Sequence, residues 1–316
     1  MPRPQILRFA GAFTALCVGV ACVTLGARRP TASPPSVEDD LGCLAAGHLR
    51  LMTLNLAHGR GLSFHQLLLS NDAFAPNIAA IGELLRRVCP DVVALQEADG
   101  PSIWSGNFDH VATLAQLGGL GAFFRGTHAR VDLLGADIDY GTALLVRGHI
   151  DNPTSLAFKT SDRDTKGLVR ATVSTSSQPR TPIDVVSVHL HPSDQATRQR
   201  HIDMLVAMVA AHEHPLVVMG DFNCGWNGPD GCAAELAARL QLQAFAPTDA
   251  LATFPSDAPT QRLDWILLPP ALELVDYRVL STLVSDHRGV VADVRWKTTH
   301  MSHVAPPCVD DCRPRL

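Results

Sequence analysis

Residues 216–223 read LVVMGDFN: an apolar run, a glycine, then an acid and an amide two positions apart. A short apolar run bounded by turn residues is the pattern of a buried strand, and its polar end falls where strand gives way to loop. The same arrangement recurs to either side. Upstream, VSVHL (186–190) carries His189, DVVALQE (91–97) ends on Glu97, and HLRLMTLNL (48–56) carries Asn55. Downstream, RLDWILL (262–268) holds Asp264, and Asp286-His287 stand immediately before GVVADVRW (289–296). Acids, amides and imidazoles at the ends of buried strands converge on one cleft when those strands finish at the same end of a scaffold.

Further strands are predicted at 141–147 and 168–175. Helical spacing predicts helices over 77–89, 109–117, from Ser193 or Asp194 to about 211, and over 233–242. Many strands separated by few helices predict an α+β fold. The expected form is a four-layer α/β sandwich of two packed, mainly antiparallel β-sheets flanked by helices. A chain of 316 residues, 46% hydrophobic and 18% charged, can bury such a core. One domain over 43–300 is expected, with a linker at 31–42 (its approach, 28–40, reads RRPTASPPSVEDD) and a Cys-containing tail at 301–316.

The first thirty residues read as a signal peptide or membrane anchor. Arg3 and Arg8 precede an apolar run from Phe9 to Ala27, long enough for either role. Cys22 follows Ala21 in a lipobox-like setting, so cleaved, lipidated and anchored forms are all open. The expected location is secreted, periplasmic or membrane-anchored, with the domain outside the cytoplasm. Beyond this segment stand six cysteines: Cys43, Cys89, Cys224, Cys232, Cys308 and Cys312. An even count in an exported domain suggests disulfides. Cys224 with Cys232 would close one short loop and Cys308 with Cys312 another. No CxxC pair exists, which argues against a zinc ribbon.

Formal charge is −5, and the four arginines of the first thirty residues contribute to it. Without them 22 basic face 31 acidic residues, a net −9, with only Lys159, Lys166 and Lys297 as lysines. Sequence-independent nucleic-acid binding uses a broad basic surface, so nucleic acid is disfavoured as a partner. A monomer is expected.

The residue types suit metal-assisted hydrolysis. Mg²⁺ takes hard oxygen ligands and keeps waters, so one or two carboxylates and an amide suffice. The cation lowers the pKa of water and neutralises phosphate charge. A second carboxylate can orient or deprotonate the water, and a His held by an Asp can stabilise growing phosphoryl charge.

Taken together, NL…LQE…VHL…GDFN…RLDWILL…SDHRGV resembles the endonuclease/exonuclease/phosphatase superfamily, with its DNase I-like fold. The resemblance runs from about Leu49 to Trp296, with six motifs in family order. It implies Glu97 as principal metal ligand, Asn55 as its amide partner and Asp286 as a further metal contact. It implies Asp221 as the acid that orients or activates water, Asn223 as a phosphate-contacting amide and His189 as a binder of a phosphate oxygen. Asp264 and His287 correspond to the family's Asp–His pair, and either that pair or Asp221 could be the base. The implied cofactor is Mg²⁺, with Mn²⁺ able to substitute. Members acting at abasic DNA carry a YxPN segment where this chain has VHLHPSD, which looks more like the DNase, sphingomyelinase and phosphoinositide-phosphatase branches.

His58 and Arg60, in LAHGRG after Asn55, are candidates for the substrate side, as is Trp226 in CGWNGPDGC. Arg170, with Arg147, could face the cleft from its strand. The leading expectation is therefore a Mg²⁺-dependent phosphodiesterase or phosphatase on a small or lipid-linked substrate. A secreted nuclease is the alternative, and a non-catalytic binding module or a metal-free glycosidase stands further off.

Overall fold

Strand β1 (His48–Asn55) lies at the middle of a six-stranded sheet and is buried along almost its whole length. Its side chains alternate between two apolar layers, as the two-residue period of a strand requires. Met52 and Leu54 face helices, while Leu49 and Leu51 face a second sheet. Thr53 and Asn55 occupy the next two rungs on that inner face.

The computed structural model describes residues 36–133, 136–228 and 231–297. The expected leader (1–30), residues 31–35 of the expected linker, and the tail with Cys308 and Cys312 lie outside the described residues. Among the described residues no helix is long and apolar enough to cross a membrane.

After β1 come α1 (Phe74–Val88), β2 (Val92–Asp99), α2 (His110–Gly118), β3 (Ala122–Leu133), β4 (Ala136–Val146), β5 (Gly148–Ala157), β6 (Gly167–Thr175) and β7 (Gln178–His189). Then follow α3 (Gln195–Val209), β8 (Leu216–Asp221), α4 (Cys232–Leu240), β9 (Gln243–Ala244), β10 (Asp264–Leu268), β11 (Leu272–Val279) and β12 (Val290–Trp296). The first sheet runs β11-β12-β1-β2-β4-β3 and the second β5-β6-β7-β8-β10-β9. Each is antiparallel except for one central pair, β1 with β2 and β7 with β8. This is the α+β sandwich expected, in four layers.

Three apolar clusters fill the gaps. Helices α1 and α2 cover the first sheet, α3 and α4 cover the second, and the sheets face each other between them. Helix α1 shows why: Ile78, Ile81, Leu84, Leu85 and Val88, at helical spacing, are fully buried on the first sheet. A disulfide joins Cys43 to Cys89, the left-handed residue that ends α1, with Cα atoms 5.0 Å apart. A second joins Cys224 to Cys232.

Candidate active site

At one end of the sandwich the inner-face stripes change from apolar to polar. On β7, Ile183 and Val185 belong to the inter-sheet core and are followed by Ser187 and His189. On β8, Val217 and Met219 are followed by Asp221; on β10, Asp264 precedes Ile266 and Leu268. His189 and Asp264 are the register partners of Asp221 on its two neighbouring strands. Gly220, between them, has its backbone so near Val188 that a Cβ there would lie 2.0 Å from the Val188 carbonyl oxygen. Only glycine allows the strands to close up beside the Asp221 carboxylate.

Glu97 reaches the cleft by a different route. On β2, Val93 and Leu95 face the helices, so regular alternation would send residue 97 outward as well. The β2–β4 register instead shifts between Leu95 and Ala98, and Glu97 adopts a left-handed φ of 48°. Such a bulge re-aims a side chain. Ala98 then returns to the helix-facing core, while Gln96 and Glu97 both turn inward. Gln96 spans the sheets, bonding Ser187 at 3.2 Å and Thr53 at 3.3 Å.

Asp221 is the hub on the second sheet. Its Oδ2 accepts from Asn55 Nδ2 at 3.0 Å and lies 3.4 Å from His189 Nε2 and 3.8 Å from His287 Nε2. Its Oδ1 accepts from the backbone of Asn223 at 2.9 Å, and the Asn223 amide donates to the Leu190 carbonyl at 3.0 Å. Burial pushes the Asp221 carboxyl up to about 7, with the nearby Asp264 carboxylate adding to the effect. His287 Nδ1 lies 2.8 Å from Asp264 Oδ2, which also accepts from Thr253 Oγ1 at 2.6 Å. Burial works against a charged His287, yet the carboxylates of Asp264 and Asp221 prevail and raise it to about 10.

Glu97 is the hub on the first sheet. His58 Nε2 is 3.3 Å away, and Arg60 and Lys166 each approach to 3.7 Å. Burial favours the neutral acid, but the positive field of His58, Lys166 and Arg60 overcomes it and holds Glu97 well below the usual carboxylate range. Arg60 also pairs with Asp286, so one guanidinium bridges both acids. His58 is held from behind: Asp99 Oδ1 is 2.8 Å from its Nδ1, Trp104 Nε1 donates to the other Asp99 oxygen at 2.9 Å, and the rings of Trp104 and Tyr140 lie about it.

The sequence reading overlooked Lys166, whose Nζ donates to His189 Nε2 at 3.0 Å. It follows a loop organised by Asp164, which accepts from Thr160 and Lys166 and is 2.8 Å from His201 Nε2. Asp99 and Trp104, in the QEADG segment and just beyond it, were also not read as part of the site. Burial, followed by the charge of Lys166, lowers His189 well below its ordinary value, leaving it a neutral acceptor.

Three residues expected at the site are not brought to the cleft. Arg170 is directed to the outer face of the second sheet, because Val169, Ala171 and Val173 take the inner one. Its guanidinium donates to Asp184 at 3.0 Å and to the Met208 carbonyl at 3.1 Å. Arg147 likewise caps carbonyls of Gly118 and Gly119. Trp226 packs on Trp265, centroids 5.6 Å apart, in the layer between the second sheet and its helices.

Glu97, Asp286 and Asn55 offer hard oxygens, as a divalent cation prefers. The Glu97 and Asp286 side chains are 19% and 28% exposed, leaving room for the waters Mg²⁺ retains. That a guanidinium bridges the two acids marks the gap between them as a place for positive charge. Asp221, Asp264 and His287 also bring ligand atoms within 4.8 Å of one another. They fit less well: Asp264 Oδ1 is buried without a partner, but His287, raised to about 10 by the two acids, carries hydrogen on both ring nitrogens and offers no lone pair.

The chain matches the Endonuclease/Exonuclease/phosphatase family over residues 52–287. Among solved structures it resembles an endonuclease/exonuclease/phosphatase from Beutenbergia cavernae DSM 12333, at 22% identity and TM-score 0.59 over 79% of this chain and 72% of that one. It also resembles one from Bacteroides vulgatus, at 14% identity and TM-score 0.60 over 79% and 99%. The human Nocturnin catalytic domain with bound sulfate anion aligns at 18% identity and TM-score 0.57 over 79% and 94%. At these identities the likeness concerns the fold. No curated protein sequence matches the chain. The family match spans most of the chain and all the motifs converging on the cleft: the chain belongs to the endonuclease/exonuclease/phosphatase family, hydrolases of phosphate esters that generally depend on a divalent metal.

Proposed function

We propose that the chain hydrolyses the phosphate ester of a small or lipid-linked substrate with Mg²⁺, for which Mn²⁺ can substitute. The observation that carries this reading is Asp221, ringed by Asn55, His189 and His287 at 3.0, 3.4 and 3.8 Å at the cleft end of the sandwich. Glu97, Asp286 and Asn55 would hold the cation, which supplies Lewis acidity and neutralises phosphate charge.

The remaining work belongs to side chains. Burial raises the Asp221 carboxyl above the usual carboxylate range, which makes it the stronger proton acceptor and favours it as base over the Asp264–His287 pair. His287, protonated and aimed by Asp264, is suited to stabilise charge on the phosphoryl oxygens. Asn223 and Lys166 supply donors along the wall that would face the phosphate, and Lys166 is itself braced by the neutral His189.

The two disulfides and the apolar N-terminal run support work outside the cytoplasm. The excess of acidic residues counts against a nuclease. A metal-supplemented screen over phospholipids, nucleotides, phosphosugars and DNA tests the reading. Turnover that persists unchanged in excess chelator would end it.

A further inference from the structure

Large apolar side chains scattered singly over a surface need no explanation, whereas a cluster does. Of the strongly exposed apolar residues described, Phe64 (88%), Leu67 (60%), Leu68 (45%) and Ile103 (42%) occupy the two loops that leave β1 and β2 at the cleft end of the first sheet. Residues 61–71, GLSFHQLLLSN, contain no Asp, Glu, Lys or Arg. His65, in their midst, has its pKa lowered by burial and by the charge of Arg60.

This rim adjoins the candidate site. Arg60 Nε donates to the Ser63 carbonyl at 2.9 Å, while the same guanidinium pairs with Asp286 and approaches Glu97. Covalent geometry then puts the Phe64 Cα within about 6 Å of Arg60 Nε. Ile103 precedes Trp104, whose ring is 5.2 Å from that of His58. Whatever covers the apolar rim must therefore leave a phosphate in reach of Arg60, Lys166 and His58. A folded protein seated there would close the mouth. An amphiphile in a bilayer meets both demands, with its phosphate in the cleft and its neighbours' acyl chains under Phe64 and Leu67.

We infer that the rim formed by the 61–71 and 100–107 loops seats on a lipid surface, so that the substrate is a phosphorylated amphiphile held in a membrane. The inference rests on the phosphoesterase reading and narrows its substrate class. The full chain carries an apolar N-terminal run, so bulk vesicle binding would be ambiguous and depth must be read at the rim. Phe64→Trp and Phe123→Trp each add one indole to the same background. Phe123 is exposed at the opposite end of the first sheet, opposite Leu145 in the register.

With vesicles of dibrominated phosphatidylcholine, the added emission of Phe64→Trp should be quenched, because an indole there would sit at the lipid boundary, and that of Phe123→Trp should hold. Equal quenching at both positions, or none at position 64, would overturn the proposal. So would a dimer in sedimentation that Phe64→Ser/Leu67→Ser dissociates, because a second copy would then own the rim. Turnover of soluble bis(4-nitrophenyl) phosphate by the unaltered protein is read in parallel. Absence of turnover on both this diester and the monoester 4-nitrophenyl phosphate would remove the phosphoesterase and the substrate named here, whereas quenching alone decides where the rim sits.

Discussion

His58 Nε2 lies 3.3 Å from a Glu97 carboxylate oxygen, and the other ring nitrogen of His58 is 2.8 Å from Asp99. The pairing matches the His287–Asp264 contact across the cleft, also 2.8 Å, whose imidazole faces Asp221. Each hub acid thus has an imidazole aimed at it and a buried carboxylate fixing that imidazole's orientation. Partners of this kind are commonly worth ten- to a hundredfold in activity. Asp99→Asn and His58→Ala should each lower kcat by about that factor, with the Mg²⁺ activation constant raised. Steady-state kinetics with a metal titration reads both, and wild-type kcat in either variant would discard the idea.

On the opposite side, His287→Ala should cost more. It removes the cation facing Asp221 and leaves Asp264 buried without its partner. A loss in kcat of about 10²–10⁴ is expected, with the fold retained by circular dichroism. Wild-type turnover in this variant would sink the proposed mechanism.

Chelation should abolish turnover and Mg²⁺ or Mn²⁺ restore it. Glu97→Gln keeps the shape of the side chain but loses the charge a hard cation requires. Its activity should not recover at Mg²⁺ levels that saturate the wild type, and isothermal titration should find metal binding weakened.

His128 predicts a pH dependence of stability. It is buried, with Nε2 on Thr142 Oγ1 at 2.9 Å, and burial foremost, then the charge of Arg125, lowers it to about 4. An unfolded His titrates near 6.5, so the unfolded chain takes up its proton first on acidification. The contribution is fully present above about pH 6.5, is lost as pH falls towards about 4, and amounts to about 3 kcal/mol. His128→Gln should flatten that part of the curve. Urea denaturation at pH 7, 6 and 5 checks it, and equal slopes for both proteins would contradict it.

The two disulfides should differ in worth. Cys43–Cys89 spans 46 residues and Cys224–Cys232 spans 8. Loop-closure entropy gives about 4 and about 2.5 kcal/mol respectively. Paired Cys→Ser variants should therefore show the larger drop in Tm for Cys43/Cys89, and the reverse order in calorimetry would refute the entropic account.

The interior strands were legible in the sequence because both their faces are buried, which leaves an apolar run. The strands the sequence did not reveal, β3, β5, β9 and β11, are the four sheet edges. An edge strand can stay largely solvated: β5 is exposed along most of its length and carries Pro153, which edges tolerate. Asn55, His189, Asp221 and Asp264 were readable as polar ends of apolar stripes, and Glu97 as the acid that closes an apolar run, although its inward aim depends on the bulge. Arg170 misled because a polar residue within a strand says little about which face it takes until the neighbouring inner residues are known. Lys166 and Asp99 were hidden because their place depends on a loop ordered by Asp164 and on a bulge, and neither leaves a periodic trace.

That bulge has an evolutionary consequence. With one residue to spare, β2 gives neighbouring positions separate duties: Gln96 is a crossbeam between the sheets and Glu97 is free for chemistry. Selection could retune the acid without loosening the frame, or reinforce the frame without touching the acid. Two adjacent codons would then drift under unlike pressures.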